Sequence, residues 1–261
     1  MKKNADDVGK FYDVVWTKYL PEYRESEKHL ELFFETDEII GKRVLDSGCG
    51  TGIFSTIFAA KGAKKVTGID ISEGSLDTAK MLKERYGLDN LQFCIQNMLD
   101  LPFSDNTFDI VWAWGTVHHT SDPFRAINEL IRVLNYQGTI LLAVYKKTWL
   151  TPVHDVIRKI CILLPKSMWI PVSKIMAIFF MPIVYLFKRR DKLRKGESLD
   201  ELILDWYFVP IRFHYTPEEI RSYLETRGFL IEKYIPASGR FDSTSNFIFK
   251  AKKNTRDTDA K

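Results

Sequence analysis

Short apolar runs alternate with amphipathic stretches through the first half of the chain. Runs at residues 43–46, 65–69, 91–95, 108–113 and 138–145 are rich in Val, Ile, Leu and aromatics and are bounded by polar or glycine-bearing turns, which predicts buried strands. Between them, residues 53–61, 73–86 and 123–134 repeat apolar side chains three and four positions apart, the period of a helix with one buried face. Strands separated by helices are joined by crossovers, so the pattern predicts an α/β fold, a doubly wound parallel sheet. The punctuation agrees. Ser72 is placed to cap the helix at 73, and Asp122-Pro123 supplies an N-cap and first-turn proline. Thr216-Pro217-Glu218-Glu219 reads as a capping box opening a last helix that Gly228 ends, with further strands at Phe229–Ile235 and Ser245–Lys252 and a polar tail at 253–261.

Residues 146–213 lie between the fifth strand and that last helix, too many for a loop in a compact domain. Two apolar helical segments are legible there, Val153–Leu164 and Ser173–Phe187, punctuated by Pro152, Pro165, Pro171 and Pro182. Material after the fifth strand of such a sheet lies over the carboxyl ends of the strands, so 146–213 is expected to be a helical lid over a ligand site. Trp149, Trp169, Phe179, Phe180, Tyr185, Trp206 and Phe208 give it more aromatic area than a sugar or amino acid needs, which points to a small apolar or aromatic ligand. Each of them equally suits simple packing of the lid on the sheet. Met168–Phe187 has the length of a membrane span, yet Lys174 and two prolines interrupt it. Peripheral contact with a membrane surface is the alternative, helped by the basic run at 188–195.

The densest chemical signal is Val44-Leu45-Asp46-Ser47-Gly48-Cys49-Gly50-Thr51-Gly52, followed by Asp70 at the end of the second strand. Strand, glycine-rich turn and helix in succession form a nucleoside-binding unit, in which the acid after the second strand accepts bonds from ribose hydroxyls. Two details separate the candidate ligands. Ile53 stands where a dinucleotide fingerprint wants its third glycine, and Asp46 would repel a pyrophosphate. S-adenosylmethionine (SAM) has no phosphate, and its sulfonium and ammonium groups are attracted by a carboxylate, so the loop favours SAM over NAD.

With these residues the stretch from 40 to 145 resembles the class I SAM-dependent methyltransferases, in the small-molecule branch that includes quinone and lipid-like acceptor enzymes. Asn97-Met98-Leu99-Asp100-Leu101-Pro102-Phe103, Phe108-Asp109-Ile110-Val111, His118-His119 and Leu134–Thr139 match later landmarks of that family. The resemblance implies a Rossmann-like sheet of seven strands closed by a C-terminal antiparallel hairpin, and SAM as cofactor. It places Tyr12, Asp46, Gly48, Cys49, Gly50, Asp70, Ile71, Asn97, Met98 and Trp114 around that cofactor, with the segment of Phe11-Tyr12-Asp13 and Trp16 folding over it. Two departures stand out. Asn97 replaces the usual Asp facing the adenine amino group, keeping an acceptor without the charge. Tyr136-Gln137-Gly138 keeps only the last residue of the usual Pro-Gly-Gly turn.

The transfer such an enzyme performs is an in-line displacement on a methyl group, served mainly by positioning in a dry pocket, with a base needed only for a protonated nucleophile. His119, Asp205, His214 and Tyr215 are the candidates for that base, although a His at a strand end is more often a packing residue. The chain has 261 residues, 45% of them hydrophobic, enough for one domain with a large core. Cys49, Cys94 and Cys161 lie far apart, which fits reduced thiols in a cytoplasmic protein and no metal site. The first seven residues have no apolar stretch of the secretory kind. The net charge of +4 is held by Lys188–Lys195, where six basic residues face only Asp191, so nucleic acid is not an expected partner. Two other functions fit the same motifs: a membrane-surface methyltransferase of a quinone or lipid, and a non-catalytic SAM-binding partner subunit. The acceptor and the oligomeric state stay open at this point.

Overall fold

The computed structural model describes residues 5–15, 23–186, 199–237 and 246–254. Its centre is a seven-stranded sheet in the order β3-β2-β1-β4-β5-β7-β6, built from β1 (Arg43–Ser47), β2 (Lys65–Asp70), β3 (Leu91–Ile95), β4 (Phe108–Trp114), β5 (Leu134–Tyr145), β6 (Phe229–Ile235) and β7 (Asn246–Lys253). The first five pair in parallel, and β7 inserts antiparallel between β5 and β6, giving the expected doubly wound sheet with its closing hairpin. Alternate side chains of each strand serve opposite faces, as the two-residue period requires. Val44, Ile110, Trp112 and Leu141 face α4 (Ile53–Ala60) and α5 (Glu73–Tyr86), together with α2 (Tyr23–Glu31) and α3 (Thr36–Ile39). Leu45, Val111, Ile140 and Leu142 face α6 (Pro123–Val133) and α10 (Pro217–Glu225).

The helix starts are where side-chain chemistry puts them. Ser72 Oγ accepts from the Ser75 N–H, Asp122 Oδ1 from the Arg125 N–H, and Thr216 with Glu219 closes a reciprocal capping box. Strand five begins at Leu134 rather than 138. Leu134 pairs with Phe108 and the next pair is Thr139 with Ile110, so residues 135–138 bulge out of register. Gln137 takes the left-handed φ of 62° there, and a Cβ on Gly138 would stand 2.7 Å from Leu134, so the retained glycine is the one that contact demands.

A third apolar cluster sits at the carboxyl edge of the parallel strands, where α1 (Ala5–Val15) meets α7 (Thr151–Cys161), α8 (Lys166–Leu186) and α9 (Leu199–Tyr207). Helix α8 starts before the expected residue 173 and runs through Pro171 and Pro182. Its inner stripe of Trp169, Val172, Met176 and Phe180 packs on Phe11, Tyr207 and Phe208, which outweighs the hydrogen bond each proline removes. The tail expected from 253 begins later, since Lys253 is buried in β7 with Nζ donating to the Ile131 and Leu134 carbonyls. Trp16, Phe187, the basic run at 188–195, Ser245 and residues 255–261 lie outside the described residues.

Candidate active site

The loop from β1 to α4 contains three glycines with positive φ, Gly48, Gly50 and Gly52, and they do different work. A Cβ on Gly48 would lie 2.3 Å from Thr116 Cγ2, and one on Gly52 would lie 2.7 Å from both Ala79 Cβ and Phe93. Those two let the turn pack. A Cβ on Gly50 would meet no atom within 4 Å, so the chain is open to a ligand at that one position. The loop is tied down by Gly48 and Cys49 N–H bonds to the Ile69 carbonyl at 2.8 and 2.9 Å.

Asp46, one residue before the end of β1, and Asp70, the last residue of β2, are the carboxylates beside this loop. Asp46 is 2% exposed and accepts from Ser55 Oγ at 2.6 Å. Burial pushes its carboxyl up to about 7, with the Asp70 charge adding to the rise. Asp70 accepts from the Gly50 N–H at 2.8 Å and the Ser72 N–H at 2.9 Å, one on each oxygen. Burial raises its pKa, and the nearby Asp13 acts in the same direction. A carboxylate has roughly four lone-pair sites, so acceptor capacity remains beyond these bonds. This is the donor and acceptor set a ribosyl group needs, and the open position at Gly50 adjoins it.

Helix α1 covers the exit of β2. Asp13 Oδ1 accepts from Ser72 Oγ at 2.7 Å and from the Gly74 N–H at 3.1 Å. Gly9 lets the helix approach, because a Cβ there would be 2.9 Å from the Ile71 carbonyl oxygen. Asn97 Oδ1 accepts from the Leu99 N–H at 3.0 Å, which fixes its amide, and Met98 packs against the core beside it. Cys49 is a free thiol that burial pushes upward, away from reactivity. The Trp114 ring stacks on Trp112 at 5.3 Å and lies against Phe33 and Phe54, so its side chain belongs to the α4 face of the sheet.

A second group of polar side chains gathers where α1, α9 and the ends of β4 and β5 converge. Asp205 on α9 accepts from Tyr145 Oη at 3.2 Å, and its charge acts on the Tyr12 phenol. The Tyr12 ring meets His119 edge-on at 5.8 Å, and its phenol pKa is raised well above normal, first by burial and then by Asp205. His119 Nδ1 lies 2.9 Å from the Ile211 carbonyl, which can only accept, so the proton sits on Nδ1 and Nε2 is the acceptor nitrogen. Burial lowers its pKa and keeps the ring neutral at pH 7. His118 is fully buried between His119 and Tyr145, at 4.3 and 4.0 Å, and neither ring nitrogen has a hydrogen-bond partner among the described residues. His214 stacks on Tyr145 at 5.9 Å.

His119, Asp205, His214 and Tyr12 therefore come together, and Tyr215 does not join them. The Tyr215 ring packs edge-on to Phe124 at 5.4 Å in the core beneath α6, and the carboxylates that act on its phenol are Glu219 and Asp122. Its backbone bridges Lys146. Behind the cluster, Arg212 is buried against Asp155 at 3.3 Å and the Trp206 carbonyl, and Arg158 donates to the Val209 and Pro210 carbonyls, pinning the segment that supplies Ile211.

Sequence reasoning missed Tyr145 and Gly9, and named Asp13 only within the covering segment, without its bonds to Ser72 and Gly74. Tyr145 ends a continuous apolar strand with a phenol, which is a legible signal for a group at the carboxyl edge. The other two depend on how α1 docks, which no local pattern displays.

Comparison with known proteins agrees with this geometry. Residues 40–177 match the family model described as "Methyltransferase domain". A demethylmenaquinone methyltransferase of Symbiobacterium thermophilum is 31% identical over 191 residues, covering 69% of this chain and 74% of that one. The chain spans between 38% and 46% of the length of several other curated relatives that it matches. Among solved structures, the [4+2]-cyclase SpnF superposes with a TM-score of 0.60 at 18% identity, covering 97% of each chain. Magnesium protoporphyrin IX methyltransferase of Synechocystis with bound SAH superposes with a TM-score of 0.56 at 20% identity, covering 88% of this chain and 81% of that one. These two likenesses concern the fold alone, and a cyclase beside a methyltransferase shows that the chemistry resides in the site. With the family model over residues 40–177, the sheet order and the glycine-rich loop in agreement, the chain belongs to the methyltransferase-domain family, of the class I SAM-dependent kind.

Proposed function

We propose that the protein binds SAM in the crevice between Gly50, Asp70 and Asn97 and transfers its methyl group to a small apolar or aromatic acceptor. In this reading the chain is one catalytic domain, and residues 146–213 form a lid that encloses the acceptor. Bound SAM supplies an electrophilic methyl on a sulfonium. Asp70 takes the ribose hydroxyls, Asn97 and Met98 flank the adenine, and the Asp46 carboxylate favours the cationic end. The demethylmenaquinone in the Symbiobacterium relative's name belongs to the acceptor class that the aromatic lining of α7–α9 suits.

One observation carries the proposal: Tyr12 stands between the two halves of the site. It is within electrostatic reach of both Asp70 and Asp205 and lies edge-on to His119. A methyl group delivered past Tyr12 reaches an acceptor lying against His119, Tyr145 and Asp205. For a hydroxyl acceptor, neutral His119 takes the proton on Nε2 while the oxygen gains the methyl, and the Asp205 charge stabilises the imidazolium. The surrounding aromatic rings exclude water and hold the reactants in contact, the larger part of the catalytic effect.

The test is calorimetric titration of the full chain with SAM, followed by incubation with a panel of phenols, quinols and porphyrins and mass analysis of the products. Binding with a methylated product is expected. Absence of binding overturns the cofactor assignment, and binding with no product anywhere in the panel favours a non-catalytic SAM-binding subunit.

A further inference from the structure

Helices α7 and α8 each bury one stripe and leave the opposite one uncovered, and the uncovered stripes are apolar. On α7, Val156, Ile160 and Leu163 point outward, with Leu163 just past the helix end and 83% exposed. On α8 the outward residues include Ile175, Ile178 and Phe179, the last two 70% and 73% exposed. Spacings of three, four and seven positions make these continuous faces rather than scattered apolar residues, and large apolar patches on a protein surface mark an interaction site.

The charges in the same region have one sign. Lys159, Lys166 and Lys174 are exposed on these helices. Helix α8 contains no acidic residue, and the acid of α7, Asp155, points inward to Arg212. The chain continues past α8 with the basic stretch 188–195, which is no part of the described face. An apolar face bordered by lysines is complementary to a layer with acyl chains below and anionic headgroups above. It is poorly suited to a second copy of itself, because a two-fold contact would set lysine against lysine with no carboxylate between them. Among the described residues no helix is long and apolar enough to cross a membrane, so the helices fit lying in the interface.

We infer that the α7–α8 face docks this protein on an anionic lipid bilayer. The inference does not depend on methyl transfer and can be read without turnover. The experiment is co-sedimentation of the full chain with vesicles of phosphatidylcholine alone and of phosphatidylcholine with phosphatidylglycerol, at low and high salt. Binding to the anionic vesicles alone is expected, weakening as salt rises. Quenching of Trp149 emission by brominated acyl chains should report the depth, and Trp149→Phe should remove that signal. Lys159→Gln, Lys166→Gln and Lys174→Gln should each reduce the partition coefficient about fivefold. Ile178→Glu with Phe179→Glu should abolish binding, and since both side chains are already in water, an unchanged melting temperature shows that the fold survives. Failure of the parent protein to bind anionic vesicles at low salt overturns the inference, as does unaltered binding by the double glutamate variant. A parent protein that is a dimer, made monomeric by those glutamates and indifferent to lipid, assigns the face to a second copy and overturns it equally.

Discussion

Asp70 is the residue on which the cofactor crevice can be tested most sharply, because it has two separable duties. Its oxygens accept the Gly50 and Ser72 N–H groups at 2.8 and 2.9 Å, which holds the glycine loop against β2. The proposed ribose hydroxyls would donate to its remaining lone pairs. Asp70→Asn keeps the shape, keeps one acceptor oxygen and removes the charge. Two bonds that fall from the roughly 1.5–3 kcal/mol net of a charged acceptor to the roughly 1 kcal/mol of a neutral one predict about 2–4 kcal/mol in binding, or roughly thirty-fold to several-hundred-fold in Kd. The loosened loop should cost the free protein about 1–2 kcal/mol, a fall of about 3–6 °C in Tm for a chain of this size. The two effects separate in a cycle measured by calorimetry, with S-adenosylhomocysteine and an analogue lacking the ribose hydroxyls titrated into parent and variant. Most of the affinity loss should vanish with the analogue. If the variant loses as much affinity for the analogue as for the full ligand, Asp70 is only a staple of the loop and the ribose assignment is wrong.

The glycines separate in the same spirit: Gly48→Ala forces a Cβ into Thr116 and should lower stability by about 3 kcal/mol in urea titration, whereas Gly50→Ala should lose only the roughly 1 kcal/mol of its left-handed backbone while weakening SAM binding. Asp46 gives a pH signature. Its folded pKa near 7 lies above its unfolded value, so the native state holds the extra proton and stability falls as pH rises from about 4 to about 7, then levels. Asp46→Asn should remove that slope, worth on the order of 2–3 kcal/mol between urea titrations at about pH 5 and about pH 8, and an equal slope in the variant would place the titration elsewhere. Asp205→Asn should lower kcat about a hundredfold while SAM affinity stays within a few-fold, and a parallel loss of both would tie Asp205 to the cofactor instead. Replacing residues 146–213 by a short Gly-Ser linker should preserve SAM binding within a few-fold and abolish transfer, in a variant shown by circular dichroism to remain folded.

The sheet was legible because buried parallel strands write themselves as apolar runs, and the run 43–46 landed within a residue of β1. Caps were legible for a similarly local reason, since Ser72, Asp122 and Thr216 each act within one helical turn. Residues that act through docking were not. Helix α1 carries Asp13, Gly9 and Tyr12 to the exit of β2, and Tyr12 was indicated only by the family resemblance, since nothing in the helix's eleven residues says where it will rest. Helix α9 was overlooked because its apolar residues are short of a clean stripe and follow a charged stretch, although Asp205 was singled out beside Trp206. Tyr215 misled for the opposite reason: a phenol next to a capping box looked available, but its ring turns into the core. Glycine spacing identified the loop and could not say which glycine opens on free volume, a distinction that lies in Thr116, Ala79 and Phe93.

The insertion of β7 between β5 and β6 also governs how the protein comes into being. Thr139 must find Lys252 and Tyr145 must find Asn246, so β5 waits for a partner about a hundred residues further along. At typical synthesis rates that interval is on the order of 5–20 s, during which the apolar edge of β5 has no native neighbour on that side. Such an edge is a template for the wrong strand. The helices encoded in the interval, rich in apolar residues themselves, emerge before the sheet that will carry them is complete. The newborn chain is therefore most exposed to mispairing at one particular stage, after β5 has appeared and before β7 has, and released chains truncated before residue 246 should be far less resistant to protease than chains that include β7.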